Sequence, residues 1–139
     1  MGFWISIARP AGTLAPDRQA VIACLDRQEW LHPFDPPEDV RYFLDLGFIQ
    51  LEEEPSSRYA APYLSARLSW GGSEEEAREA FAHLHTLAGE LGMAVHGIEP
   101  LVPLDAEGAV TEHQSGRRAV VGLFGTTGRG RAAPADGEA

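Results

Sequence analysis

An α+β domain is what the sequence predicts, and three observations predict it. Residues 3–8 and 63–70 alternate apolar and more polar side chains with the period of a strand. Ala77 to Leu91 repeats apolar residues at the spacing of one helix face. The two patterns also interleave along the chain, as expected when helices and strands share one core. With 139 residues, 44% of them apolar, and with three Trp, six Phe and three Tyr, one hydrophobic core is within reach.

In "FWISIA", Phe3, Ile5 and Ile7 alternate with Trp4, Ser6 and Ala8, which predicts a first strand. "RPAGTL" turns the chain. Pro16 and Asp17 then open "PDRQAVIACLDRQEWL" as a helix, with Val21, Ile22, Leu25 and, less regularly, Trp30 on its apolar face. "HPFDPPED" ends it, because Pro33, Pro36 and Pro37 remove donors and restrict the residues before them. "VRYFLDLGFIQLEEE" admits two readings: one long strand with a bulge at Gly47, or a short helix capped there and followed by a strand. The long strand is preferred, since aromatic and β-branched residues dominate and Tyr42, Leu44, Leu46 and Phe48 share one parity. "PSSRYAAP" connects it to "YLSARLSW", so the two strands form an antiparallel hairpin. In "SEEE", Ser73 and Glu76 have the spacing of a capping box and open the clearest helix. Its stripe is Ala77, Ala80, Phe81, Leu84, Leu87, Ala88 and Leu91, and Gly92 is its C-terminal cap. "MAVHGI" gives the last strand.

The order β-α-β-β-α-β within residues 1–100 is that of a ferredoxin-like sandwich, a four-stranded antiparallel sheet with two helices on one face. Beyond Pro100, residues 101–124 are expected as a loop-like extension whose apolar piece "RRAVVGLF" docks on the body. Residues 125–139 form a Gly-, Ala- and Pro-rich tail with the composition of disorder.

All eleven basic residues are Arg, and the chain has neither Lys nor Asn. No Walker-type phosphate lysine, no Schiff-base amine and no Cys-His-Asn triad is therefore available. A formal charge of −10 opposes nucleic-acid backbones, which call for clustered positive charge. "MGFWISIARPAG" lacks a basic start and meets Pro10 and Gly12 before any long apolar run, so neither a secretory signal nor a spanning helix is expected, which points to the cytoplasm. The single cysteine, Cys24, lies in an apolar helical pattern and is expected to be a buried, inert thiol.

Three of the five histidines, His83, His85 and His96, fall within fourteen positions and raise the question of a metal or haem site. On a helix of about 100° per residue, however, His83 and His85 lie on opposite flanks of the stripe centred on Leu84. A helical metal pair needs i, i+3 or i, i+4 spacing, and no further ligand is placed by the sequence, so neither a metal nor another cofactor is expected. "GGSEEE" is a poor phosphate site despite its helix-start position, because three carboxylates would repel the anion. Residues 26–54 hold nine acids against Arg27 and Arg41. Nothing in the pattern pairs two of them for acid-base work. Asp39, Asp45, Glu52, Glu53 and Glu54 are instead the candidate binding residues, an acidic patch for a basic protein partner. Solvated strand edges explain the same acids equally well. Both faces of the first strand are partly apolar, so the face without helices should be covered by a partner, a second copy or the extension.

"FWISIARPAGTL", the Pro-rich link into "VRYFLDL", the hairpin and the closing "LGMAVHGIEP" together resemble, over residues 1–100, the small bacterial α+β immunity proteins found beside secreted toxins. The resemblance implies a cytoplasmic antidote that binds and blocks a cognate toxin domain, often through an acidic surface. A second expectation, of a different class, is a small dimeric ferredoxin-like ligand-binding or redox enzyme that uses the uncovered sheet face. Haem-degrading proteins of that class resemble this layout but use an Asn, which this chain lacks.

Overall fold

A computed structural model describes residues 2–34, 40–97 and 103–127, with side chains to residue 120. The strands are β1 (Phe3–Ala8), β2 (His32–Pro33), β3 (Arg41–Leu44), β4 (Gly47–Glu52), β5 (Tyr63–Leu68) and β6 (Ala94–Gly97). The helices are α1 (Arg18–Asp26), α2 (Glu74–Leu91) and α3 (Ala106–Thr127). All strands join one antiparallel sheet in the order β2-β3-β4-β5-β1-β6. The expected four-stranded, two-helix ferredoxin-like sandwich is therefore not what forms: among the described residues the sheet has six strands, and three helices accompany it.

Two local facts account for the difference. The segment taken as one long strand folds back at Asp45 and Leu46, so that Leu44 pairs with Gly47 and Tyr42 with Ile49. Neither turn residue needs a positive φ. Gly47 marks this turn and a close approach, not a bulge: a methyl group there would overlap the Arg67 carbonyl on the neighbouring strand. β2 then adds a two-residue edge, where Pro33 is tolerated. The second fact is α3, which includes "RRAVVGLF" and most of the stretch expected to be a loop. Its buried Ala109, Val110, His113 and Gln114 pack beside α2. His113 carries unusual weight there. Its Nε2 donates to the Ser69 carbonyl at 2.8 Å, its Nδ1 accepts from Gln114, and its ring stacks on Trp70 at 5.6 Å.

Other elements follow local chemistry. Asp17 is the N-cap of α1, its side chain accepting from the Ala20 N–H, so Pro16 stands outside the helix. α1 ends at Asp26 and leaves Trp30 in the link to β2. The Ser73–Glu76 capping box forms in both directions, and Gly92 caps α2 with φ 67°. Ile5, Ile7, Ile49, Leu64, Ala66 and Leu68 of the sheet share one core with Val21 and Leu25 of α1 and the α2 stripe. On the opposite face, Trp4, Arg67, Phe48 and Phe43 lie in register across four strands. Trp4 and Phe43 are 42% and 48% exposed. Phe34 stacks on Phe43 at 3.8 Å, and the Arg41 guanidinium lies about 5 Å from the rings of both Phe34 and Phe48. Among the described residues, no helix is long and apolar enough to cross a membrane.

Gly47→Ala is expected to cost about 3 kcal/mol, the upper end of overpacking penalties, because the obstacle is backbone and not a movable side chain. The thermal midpoint should fall by about 10 °C at this chain length. An unchanged midpoint would show that β4 and β5 separate freely at this point.

Candidate acidic cleft

A cleft of about 130 Å³ lies where α2 passes the α1–β2 link and the β3–β4 turn. Trp30, His32, Leu44, Asp45, Glu76, Glu79, Ala80 and His83 line it. Leu44 and Ala80, both buried, provide apolar surface. Trp30 and His83 stack at 4.8 Å with 14° between their planes. Three carboxylates, Asp45 from the turn and Glu76 and Glu79 from α2, supply the charge.

Trp30, Glu76 and His83 are each placed by an identifiable contact. Glu90 on α2 accepts from the Gln28 amide at 3.1 Å, and the same amide nitrogen donates to the Cys24 carbonyl at 3.0 Å. Gln28 Oε1 accepts from Trp30 Nε1 at 3.1 Å, so the indole N–H already has a partner. A hydrogen-bonded chain Glu90–Gln28–Trp30 thus runs from α2 back to the Trp30 ring. Glu76 is fixed by the capping box, its Oε1 accepting from the Ser73 N–H at 2.8 Å. That bond favours the ionised form and lowers its pKa. Glu79 precedes His83 by one turn, with 3.9 Å between carboxylate oxygen and Nε2.

The acids singled out in the sequence do not form one patch. Asp45 lines the cleft. Glu52 sits at the other end of β4, opposite Tyr63, and five residue steps at about 3.3 Å separate the two ends of that strand. Tyr63 has a raised pKa, through burial first and then the nearby Glu52 and Tyr59. Glu53 pairs with Arg18 at 2.9 Å with both side chains half exposed, a geometry that contributes little to stability. Glu54 is exposed beyond the strand end, and Asp39 lies outside the described residues. Sequence reasoning missed Trp30, His32, Glu76 and Glu79 as site residues. The i, i+4 pair Glu79–His83 was available as a signal, and so was the irregular fit of Trp30 to the α1 stripe.

The three clustered histidines go to three places. His83 faces Trp30. His85, on the other flank of α2, sets Nδ1 2.8 Å from the Phe81 carbonyl and Nε2 2.7 Å from the Leu104 carbonyl, tying the approach to α3 onto α2. His96 stands opposite Ser6 in β6, with its ring 5.6 Å from Tyr59. Among the described residues, no group of three or more His, Cys, Asp or Glu could hold a metal ion. Cys24 is 2% exposed and contacts Glu90 at 3.4 Å. Burial and then that carboxylate push the thiol pKa up, which makes a thiolate nucleophile unfavourable.

No protein-family profile, curated protein sequence or solved structure matches the chain.

Burial pushes the His96 imidazole below its ordinary pKa, since desolvation disfavours the cation. A base depressed in the folded state contributes stability that is present above the unfolded value of about 6.5 and is lost as pH falls through the folded pKa. The urea midpoint should therefore drop between about pH 7.5 and about pH 5.5. His96→Gln should flatten that slope, and an unchanged slope in the variant would assign it to other groups.

Proposed function

We propose that the chain is a non-enzymatic protein-binding module that acts in the cytoplasm as an immunity-type antidote, blocking a basic partner domain. One observation carries the reading: acidic side chains from two separate elements line one small cleft that also holds Leu44, Ala80 and the Trp30–His83 stack. At about 130 Å³ the cleft falls below the roughly 300 Å³ at which pockets for drug-sized molecules begin. Its size therefore favours recognition of a protruding side chain over turnover of a substrate. The charge of −10 supports electrostatic steering of a cationic partner. The acids at the end of β4 would contribute to the long-range field, and Asp45, Glu76 and Glu79 to the contact.

The test is co-purification of the full chain with the product of the neighbouring reading frame, followed by calorimetry across a salt series. A complex whose affinity falls as ionic strength rises is expected. Asp45→Lys with Glu79→Lys should weaken it on the order of tenfold or more, and reversal at Glu52, Glu53 and Glu54 should act mainly on the association rate. A salt-independent complex, or no complex at all, would overturn the proposal.

A further inference from the structure

We infer that the cleft is a receptor for a guanidinium group, the head of one arginine side chain on the partner; this rests on the protein-binding reading above. Size, charge and wall geometry converge on that ligand class. A cavity of about 150 Å³ accommodates a benzene ring, so about 130 Å³ suits a planar group of five or six heavy atoms. Asp45, Glu76 and Glu79 make the cleft selective for a cation, and buried Leu44 and Ala80 offer the methylene stem an apolar surface.

The Trp30–His83 wall separates arginine from lysine. Trp is the strongest aromatic partner for a cation, and a guanidinium adds flat stacking that a compact ammonium cannot make. Because the indole N–H is engaged by Gln28, the ring enters the cleft already oriented. The Glu90–Gln28 bond holds that orientation from α2, which also carries Glu76, Glu79 and His83. A pre-set wall lowers the ordering cost of binding. Two carboxylates approaching from different elements then suit the fork of N–H donors on a guanidinium, which pairs with more than one oxygen at once.

The inference is tested by titrating the full chain with N-acetyl-arginine amide and with N-acetyl-lysine amide at matched ionic strength. Tryptophan fluorescence and the indole and imidazole resonances report occupancy. Saturable arginine binding with a Kd on the order of millimolar is expected. Lysine should bind about fivefold more weakly, the worth of one partly exposed cation–π contact. Trp30→Leu should remove the preference for arginine. Asp45→Asn with Glu79→Gln, both at exposed positions and so neutral for folding, should weaken both ligands. Equal affinity for the two amides overturns the inference, and so does a double variant that binds arginine amide as tightly as the parent chain. Absence of saturable amide binding alongside a salt-sensitive complex with the neighbouring gene product also overturns it, while leaving the protein-binding reading intact. Arginine amide binding at the cleft without such a complex sinks the protein-binding reading and with it the partner's arginine, and leaves only the guanidinium specificity of the cleft.

Discussion

Burial of the α2 stripe against the inner face of the sheet is the constraint on which the remaining architecture hangs. Phe81, Leu84, Leu87 and Leu91 are each buried there, and each such side chain contributes about 1.5–3 kcal/mol of transfer free energy. Once the stripe faces inward, the two flanks of the helix are determined. One flank presents His83, Glu79 and Glu90 toward α1 and the chain that follows it. The other presents His85 and Arg78 toward the start of α3, where Arg78 pairs with Glu107. A helix that binds the sheet on one side and a neighbour along each flank cannot rotate by a single residue without losing all three sets of contacts.

The features of α2 were readable in the sequence because each is local. A 3.6-residue period, a Ser–Glu capping box and a terminal Gly all act within one or two turns. The β3–β4 hairpin was hidden by parity. Tyr42 and Leu44 face inward on even numbers, and Leu46 and Phe48 continue that count, so one strand looked sufficient. After the turn the inward residues are Ile49 and Leu51, on odd numbers. A strand cannot change phase without a bulge or a reversal, so that shift from even to odd was the available sign of the turn. α3 escaped for a different reason. Its buried face combines Ala109 and Val110 with His113 and Gln114, and a hydropathy pattern does not count the last two as core. They are buried because their polar atoms are satisfied by Ser69, Gly72 and each other.

The cleft was less visible than the fold, because its parts come from segments up to about fifty residues apart in the chain. Asp45 acquires its position only when the turn forms, and Trp30 only when α1 stops at Asp26. The acid-rich segment 26–54 suggested a continuous surface, yet strand geometry sends Asp45 and Glu52 to opposite ends of β4. Charge counted along a sequence therefore overstates charge gathered in space. What gathers here is a smaller group, drawn from the turn and from two successive turns of α2.

Charge alone cannot explain recognition at such a place. Asp45, Glu76 and Glu79 are exposed, and an exposed ion pair is worth about 1 kcal/mol or less. The same carboxylates would attract any cation from solution. Any selectivity would have to come from the apolar and aromatic surfaces, which act only at contact distance and only on a matching shape. In the proposed complex Leu44 and Ala80 would gain from an apolar stem, and the Trp30–His83 stack from a planar head. On the proposed reading, acidity would govern how often a basic partner arrives, and the orientation of Trp30 what stays. The orientation depends on Gln28 and Glu90, neither of which lines the cleft. The contact between α2 and the residues that follow α1 is therefore also the contact that sets the geometry of the wall.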